Sequence, residues 1–206
     1  MLITDVAGMT QVNWTSATIK GISAKTFKLS GVDSSGYSAY TSGGYAGKQV
    51  TTISGLSHLE GKTVDVLADG SVHPALTVAS GAITLQRKSA RVHIGLPFTS
   101  IIQSLRPEAR GTDGTIQGKI KSINSLVVRF YRAVGCKVGL DGDNLDLIPF
   151  RTTSDKMGRP VDLFSGDKIY PLMSGYNRDG FLWVEQTQPL PMSVVALMAE
   201  LNIGAQ

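Results

Sequence analysis

Short alternating segments separated by turn residues fill residues 55–105, and this spacing constrains the fold more than any other feature of the chain. Within residues 62–67 valines alternate with polar residues, the period-two pattern of a strand with one buried face. Further short apolar or alternating segments lie at residues 75–79, 82–85 and 91–94. The stretch therefore predicts four strands.

The residues between these segments suit tight reversals. Asp69-Gly70 and Ser80-Gly81 each place a glycine beside a small polar residue, a pairing that favours turns with positive φ. The chain carries 23 glycines and only 17% charged residues, which favours β structure over long exposed helices. We predict an all-β fold of small antiparallel β-barrel or sandwich modules in tandem, with little helix.

Several phrases in this region resemble a known family. GLSHLEGKTVDVLADG, VASGAITL and VHIGLPFTSIIQSL are similar to the C-terminal β-module of the tail nozzle, or tail tubular B, proteins of short-tailed bacteriophages and their prophages. Upstream, GMTQVN and TFKLSGVDSSGYSAYTSGG resemble the FCCH repeat, which is frequent in phage tail proteins. The resemblance covers residues 3–105 well and the remainder more loosely.

The resemblance implies three regions. Residues 1–50 form a truncated FCCH-like β-module, because the opening strand expected before ITDVAGMT is missing from the sequence. Residues 51–106 form a second β-module. Residues 107–206 form a C-terminal, β-rich, platform-like region packed with residues 51–106.

The first module contains three segments that alternate like strands, at residues 2–6, 18–22 and 27–29. Residues 31–44 combine Gly, Ser, Asp and Thr around two tyrosines, a composition typical of a turn-rich loop. Pro107 and the polar, glycine-bearing residues 108–114 predict a boundary or exposed loop.

The C-terminal half is less regular. Apolar residues between 116 and 134 recur every three or four positions, as in a helix, yet residues 125–134 are β-branched and aromatic. We predict an irregular lead-in and a strand over residues 126–134. Residues 139–144 form a turn, and residues 146–150, with Pro149, an edge strand.

Beyond residue 159 the pattern predicts two strands across a loop, the first around residues 166–170 and the second over 181–186. Residues 192–201 fit either a last strand or a short helix. The resemblance to nozzle proteins, which close their platform with a strand of this kind, argues for the strand.

The resemblance also implies the function. Nozzle proteins are structural virion subunits that form hexameric rings, attach below an adaptor ring, carry fibres or spikes, and conduct duplex DNA without sequence specificity or catalysis. We expect a homo-oligomer in the virion tail, made in the host cytoplasm. The interface aromatics would be Tyr37, Tyr40, Tyr45, Tyr176 and Trp183.

The net charge is +4, a mild excess that helps a chain approach a polyanion without requiring one. If grouped basic residues faced one channel, their binding to DNA phosphates would weaken as salt rises. The alternative is that they cover solvated strand faces or pair with acids between protomers. These candidates are Arg87, Lys88, Arg91, Lys119, Lys121, Arg129 and Arg132.

Two other functions compete with the structural one. A β-rich binding module of a tail protein would hold a host glycan or another virion protein through the same aromatics. A cell-wall hydrolase would need two carboxylates in one cleft, and the glutamates are widely spaced: Glu60, Glu108, Glu185 and Glu200. We predict that the chain is not an enzyme.

No cofactor or metal is expected. The three histidines, His58, His73 and His93, are not spaced in the sequence as metal ligands are, and they are interpreted as surface or loop residues. Cys136, the single cysteine, is interpreted as a buried small apolar residue rather than a nucleophile. Residues 141–146 lack the glutamate of a calcium loop and predict a β-turn. No apolar run reaches the roughly 18 residues of a membrane span.

Overall fold

The computed structural model describes residues 1–108, 110–111, 114–172 and 175–204. The chain divides into two compact units. Unit 1 comprises Met1–Leu96 with Gly158–Pro160, and unit 2 comprises Pro97–Met157 with Val161–Gln206. The predicted division near residues 50 and 106 is finer than these units and stays a prediction.

The all-β prediction is confirmed. The described residues form nineteen strands, paired antiparallel throughout, and two single-turn 3-10 helices, Thr10–Val12 and Ser57–Leu59. The strands make several small open sheets, and none closes into a barrel in the described part of the chain. Among the same residues, no helix has the length and apolar character to span a bilayer.

Unit 1 contains ten strands in four small sheets, ordered β2-β1-β5, β10-β7-β8, β6-β9 and β3-β4. The strands predicted at residues 2–6, 18–22 and 27–29 are present, although the second ends at Lys20 and the third spans Lys28–Ser30. The strands are β1 Leu2–Ala7, β2 Thr15–Ser16, β3 Thr18–Lys20, β4 Lys28–Ser30, β5 Ser42–Gly47, β6 Val50–Ser54, β7 Thr63–Ala68, β8 Ser71–Thr77, β9 Ala82–Ser89 and β10 Val92–Gly95.

Both predicted turns of unit 1 are confirmed. Asp69 and Gly70 have φ of +50° and +75° and join β7 to β8, and Ser80 and Gly81, at +54° and +66°, join β8 to β9. Two consecutive positive φ values give the backbone twist that a two-residue hairpin requires. The Asp69-Gly70 turn sets the register of β7 against β8.

The core of unit 1 lies between the β7 sheet and the β6-β9 pair. Val64, Val66 and Ala68 alternate inward from β7 and are fully buried. They pack with Val78, Ile83 and Leu85. Burying one such aliphatic side chain stabilises the folded state by about 2 kcal/mol, so the alternation read from the sequence is the main determinant of this core.

His73 corrects the sequence interpretation, because it is buried rather than on the surface. Its Nε2 accepts a hydrogen bond from Gln86 N at 3.0 Å, so the proton lies on Nδ1, 2.8 Å from the Pro74 carbonyl oxygen. His73 lies opposite Val66, and a bulge in β8 places Leu76 opposite Val64. His73 is inward because the Asp69-Gly70 hairpin pairs it with the buried Val66 in unbroken register, and the bulge beyond it turns Leu76 inward.

Unit 2 contains nine strands. Two sheets, ordered β17-β14-β19 and β11-β18-β15-β16, face each other, and β12 and β13 form a separate pair. The strands are β11 Ser100–Gln103, β12 Arg110–Gly111, β13 Gly114–Thr115, β14 Lys121–Ala133, β15 Lys137–Gly139, β16 Leu145–Leu147, β17 Phe164–Pro171, β18 Trp183–Gln186 and β19 Val194–Ile203.

The predictions for unit 2 hold with shifted bounds. The strand expected at 126–134 is β14, which begins earlier, at Lys121, so the helical alternative is wrong. β19 is a strand, and β16 lies at a sheet edge but ends at Leu147, before Pro149. The loop predicted at 108–114 falls partly outside the described residues.

The two facing sheets of unit 2 enclose its core. Leu126, Val128 and Phe130 point inward from β14, against Val138 of β15 and Val184 of β18. Two edge-to-face ring contacts add to this packing: Phe130 with Phe150 at 5.2 Å and Phe150 with Phe164 at 6.1 Å between centroids. Such pairs contribute about 1 kcal/mol each beyond area burial. β14 is therefore the central strand of the unit.

Candidate functional site

The five aromatic residues predicted for an interface divide between the units. Tyr37, Tyr40 and Tyr45 lie in unit 1, and Tyr176 and Trp183 in unit 2. Tyr40, Tyr45 and Tyr176 are exposed, whereas Tyr37 and Trp183 are half-buried. Local hydrogen bonds orient two of them, because Tyr40 donates to the Gly43 carbonyl at 3.1 Å and Trp183 Nε1 donates to Glu185 at 3.2 Å.

Lys121 does not belong to the predicted DNA-facing group. Its side chain is 1% exposed, and its Nζ donates a hydrogen bond of 2.8 Å to the Arg178 carbonyl oxygen. Its backbone also pairs with Asn177 in both directions, at 2.6 and 2.8 Å. A buried ammonium held by a carbonyl fastens the loop that carries Arg178 and is not presented to a partner.

The other predicted basic residues keep some exposure. Arg129 is held by Asp167, and Arg87 donates to the Ala68 carbonyl at 2.9 Å. Lys88 and Arg132 are exposed, and Lys119 is half-buried. Because Arg87, Lys88 and Arg91 lie in unit 1 and the remainder in unit 2, the group divides in two.

The sheet β17-β14-β19 presents an apolar outer face, which the sequence analysis did not single out. Val127 is in register with Ile169 on one side and Met198 on the other, so the three side chains form one row across the sheet. Ile169 is 74% exposed and Met198 39%. Tyr131, on the same strand as Val127, is 59% exposed. We call Val127, Ile169, Met198 and Tyr131 together the outer face.

The edges of this sheet are also unpaired. β17 and β19 each pair with β14 alone among the described strands. β19 runs for ten residues, contains neither proline nor glycine and has one charged residue, Glu200. Long edge strands with so few charges are templates for pairing with another chain. The edge residue Val195 is 63% exposed, so the outer face and the β19 edge form one candidate association surface.

The groups considered for chemistry have structural roles. Glu60 accepts hydrogen bonds from Ser80 N and Gly81 N at 2.9 and 2.7 Å, which holds the β8-β9 turn. Asp141 caps its turn, accepting from Asn144 N at 2.7 Å, and these contacts lower the pKa of its carboxyl group. Among the described residues, no three His, Cys, Asp or Glu side chains lie close enough together to hold a metal ion.

Cys136 has the buried position expected from the sequence. Its side chain is 1% exposed, and burial raises the pKa of the thiol to about 12, despite a smaller opposing effect of Lys168. A protonated thiol inside a core behaves as an apolar group. The residue therefore contributes to packing in unit 2.

No protein-family model matches the chain, and no curated protein is significantly similar to it.

Proposed function

We propose that the chain is a structural subunit of a bacteriophage tail, of the nozzle or tail-tube kind, which associates with further copies into a ring and conducts DNA without reacting with it. The observation that carries the proposal is the association surface of unit 2. The resemblance of residues 3–105 to nozzle proteins supports the same function, as does a fold built from small antiparallel sheets.

The proposed ring uses both edges of one sheet. β19 of each copy pairs with β17 of the next, which extends the sheet from subunit to subunit by main-chain hydrogen bonds. Such a head-to-tail contact uses two different surfaces and closes when the rotation between copies returns to the start. This contact between sheet edges does not cover the outer face, so Ile169 and Met198 stay available to a neighbouring tail protein, such as an adaptor or fibre subunit.

The proposed passage of DNA rests on weak, non-specific attraction. The net charge of +4 gives every copy a mild attraction for phosphates, and repetition around a ring multiplies it. A conduit must release the molecule that it passes, so a strongly basic binding groove is not required. The location that follows is the virion tail, after synthesis in the host cytoplasm.

Light scattering after size-exclusion chromatography tests the proposal. The native chain is expected to form oligomers whose mass rises with protein concentration. The double variant Val195→Lys, Met198→Lys places two charges on β19 and is expected to remain monomeric, because charges on an edge strand oppose pairing. The control Val72→Lys changes an exposed valine on β8 of unit 1 and is expected to assemble normally. A native chain that is monomeric at all concentrations contradicts the proposal.

A further inference from the structure

Two adjoining hollows surround Trp14 in unit 1. They share Leu2, Trp14 and Asp69, and have volumes of about 170 and 130 Å³. The larger is completed by Tyr45, Arg91 and neighbouring residues of β7 and β10. Those completing the smaller are Ser16, Gln49, Ser71, Arg87, Lys88 and Gly158. One half-buried indole thus lies between a mainly apolar hollow that contains Arg91 and a more polar hollow that contains Arg87 and Lys88.

The backbone fixes the position of Trp14. The residue has φ of +64°, a conformation that a bulky side chain adopts only where its surroundings impose it. Its main-chain N–H donates a 2.7 Å hydrogen bond to the Ile3 carbonyl oxygen, and Ile3 pairs with Thr15 between β1 and β2. The main chain therefore fixes where the indole is attached, and the indole lines both hollows.

Arg91 is held in place from three sides. Its main-chain N–H donates to the Asp69 carboxylate at 2.8 Å, and its guanidinium lies 4.9 Å from the centroid of the Tyr45 ring. Asp5 is its ionic partner at 3.5 Å, with both side chains more than half exposed. An exposed pair at this distance is weak, so the guanidinium is oriented and available to a stronger anion.

The smaller hollow offers both donors and acceptors. Arg87 uses one nitrogen for the Ala68 carbonyl, at 2.9 Å, and a guanidinium carries five N–H donors in all. Lys88 adds a second cation on the same rim. The Ser16 hydroxyl donates to the Gln49 side-chain oxygen at 3.0 Å, and both groups can bond further to a ligand hydroxyl.

We propose that these hollows bind an acidic oligosaccharide. The apolar face of one sugar ring lies against Trp14, its carboxylate accepts two hydrogen bonds from Arg91 in place of Asp5, and the next sugar reaches Ser16, Gln49 and Lys88. Pockets that hold small ligands combine an apolar wall with a few fixed polar groups in this way, and arginine suits a planar carboxylate.

The acids in the site favour sugar over nucleic acid. Asp5 pairs with Arg91, and Asp69 lines both hollows, beside Arg91 in one and beside Arg87 and Lys88 in the other. A nucleic-acid strand carries a negative phosphate at every nucleotide, so the two carboxylates oppose it more strongly than they oppose a sugar chain with one carboxylate. Sugar hydroxyls both donate and accept, so they use cations and carboxylates alike. The inference is independent of ring assembly, because the hollows lie within unit 1 and binding is measured whether or not copies associate.

Tryptophan fluorescence tests the inference on the full chain. The chain has two tryptophans, so Trp183→Phe leaves Trp14 as the sole reporter. A tetrasaccharide containing glucuronate is expected to change the Trp14 emission saturably. Maltotetraose, which lacks a carboxylate, and single-stranded oligothymidylate are expected to bind about tenfold more weakly or not at all, because the charge-assisted bonds to Arg91 are missing or opposed.

Two substitutions with opposite expected signs separate binding from folding. Arg91→Gln is expected to weaken binding about tenfold. Asp5→Asn is expected to strengthen binding, because the substitution removes the carboxylate that competes for Arg91. Asparagine tolerates the φ of +61° at this position. Arg106→Gln is the matched control, since Arg106 also pairs with an aspartate and covers a ring, but in unit 2. The inference is overturned if the acidic tetrasaccharide gives no saturable change, if maltotetraose or oligothymidylate binds as tightly, or if Asp5→Asn leaves affinity unchanged.

Discussion

Arg129 of β14 and Asp167 of β17 face each other across the sheet and are joined by two hydrogen bonds, of 2.7 and 2.8 Å, from the guanidinium to the carboxylate. The pair lies beside the apolar row of the outer face, because Arg129 is two residues from Val127 on β14 and Asp167 is two residues from Ile169 on β17. It therefore fixes the register of β17, whose other edge is the proposed contact for a second copy.

The first prediction concerns the titration of Asp167. Hydrogen bonds from Arg129 lower the pKa of the Asp167 carboxyl group below its ordinary value of 3.8. Because this pKa is lower in the folded than in the unfolded chain, the pair stabilises the fold above that ordinary value, and the contribution is lost as pH falls through the folded pKa. In Arg129→Gln the pKa is expected to rise, measured by carboxyl NMR.

Arg132→Gln is the control for this titration, because Arg132 is a nearby exposed arginine on the same strand. It is expected to leave the Asp167 pKa close to the native value. An Asp167 pKa that is the same in Arg129→Gln as in the native chain would show that the two hydrogen bonds do not operate in solution.

The second prediction concerns Cys136. With its pKa raised to about 12 by burial, the thiol is almost entirely protonated at pH 8 and shielded from reagents. The folded chain is expected to resist labelling by Ellman's reagent and to label completely in denaturant. Ser35→Cys, at an exposed loop position, provides a control thiol that labels at once. Rapid labelling of Cys136 in the folded chain would refute the buried position.

The third prediction compares two glycines in strands. A Cβ on Gly139 would meet the Asn144 carbonyl oxygen and, at 2.9 Å, Leu145 Cδ2. Because Asp141 holds Asn144 in its turn, the backbone cannot yield easily, and Gly139→Ala is expected to cost about 2 kcal/mol of unfolding free energy. Urea unfolding measures this as a lower midpoint at unchanged slope.

Gly95→Ala is the matched substitution, since nothing lies within 4 Å of the added Cβ. It is expected to change the unfolding free energy by less than about 0.5 kcal/mol. Equal costs at the two positions would mean that the close approach of Gly139 to the Asn144 turn is absent in solution.

Much of the fold follows from local sequence patterns. The valines of β7 and the turns at Asp69-Gly70 and Ser80-Gly81 were predictable because period-two burial and positive φ leave direct marks on residue type. His73 was mispredicted because it was assigned to the surface by residue type, whereas the register of the Asp69-Gly70 hairpin pairs it with the buried Val66. The start of β14 at Lys121 was missed because three consecutive residues there are buried.

The site was less predictable than the fold. The grouping of Arg87, Lys88 and Arg91 was visible in the sequence, but their convergence on Trp14 depends on the pairing of β1 and β5, which carry Leu2 and Tyr45. Trp14 is an isolated tryptophan with no local pattern to mark it. The outer face was missed for a similar reason, since Val127, Ile169 and Met198 are brought into one row only by strand register.

Hydrogen exchange of the backbone amides at low and high protein concentration tests the central claim most directly. Amides at a free edge exchange readily, and pairing with another strand protects them. Head-to-tail assembly predicts that β17 and β19 gain protection together as concentration rises, while β8 of unit 1 does not change. Unchanged exchange in β17 and β19 at every concentration, or protection of β19 alone, would contradict it.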